Sequence, residues 1–219
     1  KKILLEKAEE ADNHRRSGKT TGILHGIPVA LKDIIGTYDM PTECGTVLRK
    51  GKTQSQNAEI VDLLKSEGAI IMGKTATSEL AYLGPPETRN PHDYNRTPGG
   101  SSSGSAAVIA THMAPLSIGS QTGGSVIRPA SYCGVVGYKP SYGLISRSGV
   151  LIQSEKLDHI GIFGKSVEDV PEHVTNALTK DYSGLMKALD KKKQVKFLKS
   201  KKLSVSEFDL MKEEVMKSG

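Results

Sequence analysis

No stretch of this 219-residue sequence approaches the ~20 consecutive apolar residues that a helix needs to cross a bilayer. The opening residues, KKILLEKAEEADNHRR, are charged along their length and lack the apolar centre of a signal peptide. The expectation is a soluble, cytoplasmic protein without a membrane partner. Cysteine is scarce as well. Cys44 and Cys133 lie far apart and form no CxxC or other ligand spacing, so neither a disulfide framework nor a zinc site is expected. Two buried free thiols are the simpler reading. The sequence also has no GxSxG turn, and its six histidines fall in no arrangement that singles one out as a base. A Ser-His-Asp mechanism is therefore not expected, and there is no internal repeat.

Charge is unevenly placed. The net charge is +6, but residues 180–219 hold 11 lysines against 6 acidic residues, so the rest of the chain is close to neutral. The stretch DKKKQVKFLKSKK carries one aromatic residue, Phe197, which is poor equipment for stacking on bases. It reads as a solvated segment, and no nucleic-acid partner is expected. The chain is accordingly divided into a core, 1–179, and a Lys-rich C-terminal segment, 180–219, of unassigned packing.

What is present fits a packed α/β domain. An apolar fraction of 37% is adequate for a core. Residues 1 to about 16 place Ile3, Leu4, Ala8 and Ala11 on one stripe of a helix. GILHGIPVALKDII reads as a buried strand with its exit turn. NAEIVDLLKSEG reads as a helix capped by its asparagine, Asn57, and AIIMGK follows as a strand. PPETRNPHDYNRTPGGSSSGS is a long loop, and core-like segments on both sides of it favour a binding or catalytic loop over a tether.

One stretch raises a chemical question. In GSQTGGSVIRPASYCG, Ser125 follows two glycines, and it is either a turn residue or an accessible nucleophile. Without a usable histidine, its base would have to be a lysine whose pKa is lowered by burial. Lys32, in IPVALKDII, has aliphatic neighbours suited to that role; the alternative is a lysine reaching out to solvent beside Asp33. GGSSSGS offers hydroxyls able to relay a proton, or else a flexible Ser/Gly loop. QTGGS places consecutive main-chain N–H groups beside Ser125, as an oxyanion hole requires.

Together, GIPVALKDI, GKTATSELA, TPGGSSSGSAA, GSQTGGSVIRPASYCGVVGYKPSYGLISRSGV and LDHIGIFGKSVEDV resemble the amidase signature family. The resemblance implies a mixed central β-sheet flanked by helices and a Ser-cisSer-Lys triad that acts on amides without a metal or organic cofactor. It makes Ser125 the acyl-forming nucleophile, Lys32 the base and Ser101 the bridging serine. It assigns Gln121, Thr122, Gly123 and Gly124, with Ser102, to the oxyanion and substrate-binding loop. The implied substrate is a small-molecule carboxamide, with homo-oligomerisation left open. Three positions depart from the family pattern: Ser103 replaces a usual glycine, Gln121 a commoner aspartate, and Arg128 lies one place late. The resemblance fades after Val170, while VSEFDLMKEE is similar to a stretch much further along in longer relatives. An incomplete C-terminal half is the expectation. The alternatives are a non-catalytic amidase-like subunit or fragment, a subunit of the amidotransferase A type and, last, a basic-tail binding module.

Overall fold

A computed structural model of the chain describes residues 2–167 and Leu178; the Lys-rich 180–219 segment lies outside the described residues. Helix α1 (Lys2–Arg16) forms where the amphipathic stripe predicts, although none of its residues is buried. Strand β1 (Pro28–Lys32) is followed by α2 (Glu59–Ser66) and β2 (Ile70–Thr75). Beyond a long loop come α3 (Ser103–Ala110), β3 (Leu116–Gln121), α4 (Ile127–Cys133), β4 (Val136–Tyr138) and β5 (His159–Gly164).

The five strands form one mixed sheet in the order β2-β1-β3-β5-β4. β2, β1 and β3 run parallel, whereas β5 pairs antiparallel with both β3 and β4. A bulge between Val29 and Ala30 leaves Met72 unpaired, since Val29 faces Ile71 and Ala30 faces Gly73. Both sheet faces are covered, as parallel strands require. On one face Val29, Leu31, Leu116, Ile118, Ile160 and Ile162 pack with Ile60, Val61 and Leu64 of α2. On the other, Ala30 and Phe163 pack with Ala106, Val108 and Ile109 of α3 and Ala130 and Cys133 of α4. Successive β1 residues thus divide between the two cores, following the two-residue period of a strand.

Two local expectations are corrected. Asn57 does not cap α2: the N-cap is Ala58, and the Asn57 side chain instead accepts from Tyr38 N and donates to Asp62. The first amides of α2 are taken by neighbouring loops, Ala58 N donating to Gly36 O and Glu59 N to Ser148 O, so no side-chain cap is needed. The polar 82–102 loop ends earlier than its composition suggests, because Ser103, Gly104 and Ser105 are already helical. Cys44 and Cys133 are free and buried.

Candidate active site

The three parallel strands end side by side, and the residues singled out from the sequence gather at these carboxyl ends, the usual location of sites in open α/β sheets. Lys32 is the last residue of β1 and is wholly buried, so the reading in which it reaches out to solvent is overturned. Burial lowers its ammonium from 10.5 to about 7, and the Asp158 carboxylate pulls in the opposite direction. Its Nζ contacts two hydroxyls, Ser101 Oγ at 2.7 Å and Ser120 Oγ at 2.8 Å. A neutral amine has two N–H groups and one lone pair. With Ser120 accepting one N–H, the lone pair is free to accept from Ser101.

Ser101 is carried by a packed loop, and the flexible Ser/Gly reading of GGSSSGS does not hold. Ser101, Ser102, Ser103 and Ser105 are all buried, and the Gly100–Ser101 peptide is cis. Ser103 Oγ donates to Gly99 O at 2.6 Å, and Ser105 Oγ lies 2.8 Å from Thr75 Oγ1. Ser102 Oγ donates to Ser120 O at 3.0 Å and accepts from Ser120 N at 3.3 Å. Ser102 therefore braces the end of β3 from inside the protein, instead of facing open space. Gly99 has a φ of +79°, and a Cβ there would come within 2.8 Å of Pro129 Cα; only glycine fits.

Gln121 ends β3, and Thr122, Gly123, Gly124 and Ser125 form the turn into α4. Gln121 is buried, and its Oε1 accepts from Val126 N at 2.9 Å and Ile127 N at 3.0 Å. It thereby anchors the turn, as an acceptor that a carboxylate would also supply. Ser125 is 9% exposed; among the described residues nothing hydrogen-bonds its hydroxyl. A Cβ on Gly123 would meet nothing within 4 Å, and one on Gly124 only Arg128 Cβ at 3.9 Å. Neither packing nor a positive φ demands these two glycines. They leave the chain immediately before Ser125 without side chains, beside open space. Arg128 joins the start of α4 to the Ser101 loop, its Nε and Nη2 donating to Gly100 O at 3.1 and 2.7 Å. The structure thus connects Lys32 to Ser101 directly and sets the start of α4, which follows the Ser125 turn, against the same loop.

Two groups at the site escaped the sequence reading. Ser120, the second hydroxyl on Lys32, is revealed by β1 and β3 lying side by side. Asp158, only 7% exposed, accepts from Thr122 Oγ1, Gln153 N and Ser154 N. Both lie inside motifs read for other residues, and no one-dimensional spacing marks them. No group of three or more His, Cys, Asp or Glu among the described residues is placed to hold a metal.

Comparisons with known proteins identify the family and the fold. A family model described as Amidase matches residues 1–217. The A-type subunit of glutamyl-tRNA(Gln) amidotransferase from Sulfurihydrogenibium sp. is 45% identical over 174 residues, covering 77% of this chain and 36% of that protein. Among solved structures, the peptide amidase of Stenotrophomonas maltophilia superposes with a TM-score of 0.76 at 35% identity, over 86% of this chain and 41% of the other. The corresponding A-type subunit of glutamyl-tRNA(Gln) amidotransferase from Thermotoga maritima gives 0.71 at 41% identity, over 74% and 37%. The chain spans well under half the length of these relatives.

Proposed function

The chain belongs to the amidase family, and we propose that it acts as a hydrolase cleaving the C–N bond of a small-molecule carboxamide through a serine acyl-enzyme. The observation that carries this reading is a fully buried lysine, with a pKa lowered to about 7, hydrogen-bonded to Ser101. In water a lysine near neutral pH is a cation with no lone pair to offer. Buried in this way, a large fraction of Lys32 is a free base.

Lys32 Nζ takes the proton of Ser101 as Ser101 takes that of Ser125, and Ser125 Oγ attacks the amide carbon. Ser125 must come within hydrogen-bond reach of Ser101 when substrate is seated, a tightening that unliganded sites commonly undergo. Main-chain N–H groups of the 122–125 turn hold the developing oxyanion, each donor contributing about 3–4 kcal/mol. The proton returns through Ser101 to the leaving nitrogen, the C–N bond breaks, and water then attacks the ester along the same relay.

Incubation with a fluorophosphonate, read by intact mass, tests the reading: the wild-type chain gains one adduct and Ser125→Ala gains none. Equal labelling of Ser125→Ala would refute the nucleophile. A second reading, a subunit of the amidotransferase A type, draws on the 45% identity to such proteins. Ammonia release from glutamine, compared with release from simple primary amides, separates the two. A folded chain that never acylates would instead be a non-catalytic subunit.

A further inference from the structure

Asp158 combines burial, charge and position in a way that the acylation steps above do not use. It directly precedes β5, and Thr122 directly follows β3. These strands are antiparallel with Gln121 opposite His159, so Thr122 and Asp158 occupy the next step of the ladder. One carboxylate oxygen accepts from Thr122 Oγ1 at 2.5 Å, and the other from Gln153 N at 2.7 Å and Ser154 N at 3.0 Å. All three donors are neutral. No cationic side chain among the described residues lies within ion-pair distance of it. An unpaired carboxylate is costly to bury, and hydrogen bonding alone would be served by an uncharged acceptor.

Asp158 lines the same small cavity as Ser120, whose hydroxyl lies 2.8 Å from Lys32 Nζ, and from there its carboxylate opposes the effect of burial on Lys32. Of the other titratable or charged groups around this cavity, Arg147 donates to Ser154 O at 3.4 Å and to Tyr142 Oη at 3.0 Å, and His159 Nδ1 lies 2.6 Å from Leu157 O. Asp33, next to Lys32 in the chain, lies 3.7 Å from Lys74 of β2 and accepts from Glu43 N. Arg128 of α4 is turned onto Gly100 O. α3 contains no charged residue. From the same position the carboxylate ties the turn carrying Ser125 to the 153–154 backbone. Gln153 extends this brace, donating from Nε2 to Leu80 O at 2.6 Å.

We propose that Asp158 is a positioning residue for the acylation chemistry, holding the 122–125 turn through Thr122 while its charge favours the ammonium that Lys32 becomes when it takes the proton. The inference rests on the acyl-enzyme reading for its purpose, but its two physical claims are measurable without turnover. The first is the titration of Lys32, followed by NMR on the 219-residue chain carrying ¹³C-lysine. Asp158→Asn lowers the Lys32 midpoint by about half a pH unit or more, because a favourable charge is lost. The second is hydrogen exchange. Thr122→Val removes a half-buried hydroxyl with little change of shape, and it speeds exchange of the 122–126 amides by about fivefold or more. It also carries the test should Asp158→Asn fail to fold. An unchanged Lys32 midpoint in Asp158→Asn, or unchanged exchange in Thr122→Val, overturns the proposal. Fluorophosphonate labelling is run alongside: an unlabelled wild-type chain refutes the acyl-enzyme reading, while the titration and exchange still decide for or against Asp158.

Discussion

Replacing Lys32 by methionine removes the one titration on which the chemistry depends while keeping a side chain of similar length. In the folded chain the ammonium titrates at about 7, against 10.5 for an unperturbed lysine. Below about pH 7 the group is protonated in both states, and folding bears the whole cost of burying the charge. Between 7 and 10.5 the unfolded chain binds the proton that the folded chain has lost, so stability rises with pH. At 1.36 kcal/mol per unit, the wild type gains about 2 kcal/mol from this group between pH 7 and pH 9. Lys32→Met gains none of it. The orphaned Ser101 and Ser120 hydroxyls lower the variant's stability by an amount that does not depend on pH, so they leave the slope intact. Urea unfolding of both proteins at a series of pH values measures the difference. The stability of the wild type relative to the variant should rise by about 2 kcal/mol over that interval. A constant difference would refute the buried free base. The same midpoint should govern the rate of Ser125 labelling, which rises through about pH 7 to a plateau, and Lys32→Arg, which cannot lose its proton, should be inert throughout.

Two further substitutions separate openness from packing. Gly123→Ala places a methyl where nothing lies within 4 Å, so its unfolding midpoint should match the wild type, while labelling of Ser125 slows about tenfold or more because the methyl occupies the approach to the turn. Gly161→Ala is the opposite case: its Cβ would lie 2.4 Å from Val126 Cγ2 and 3.0 Å from Val126 Cγ1. It should lower stability by about 1–3 kcal/mol in urea unfolding, and full stability would show that β5 shifts freely against Val126.

The residues that sequence reading located share one property: each sits in a stretch whose composition is odd unless chemistry explains it. A lysine among aliphatic residues and a serine behind two glycines are anomalies visible in one dimension. Ser120 and Asp158 are not anomalous in sequence. A serine in a glycine-rich strand and an aspartate before a strand are ordinary, and only the lateral order β1-β3-β5 brings the first onto Lys32 and the second beside Thr122. Composition was misleading in the other direction for GGSSSGS, since small polar residues look flexible until the acceptors that satisfy them are known. Four buried hydroxyls with partners on strands and neighbouring turns make that loop part of the core. Asn57 failed as a cap for the same reason, because backbone carbonyls from Gly36 and Ser148 had already met the first amides of α2. Local chemistry therefore locates the reactive groups, and strand order decides which neutral and charged groups surround them. For an amine whose free-base fraction depends on burial set against one carboxylate, the second contribution determines whether the first is useful at neutral pH.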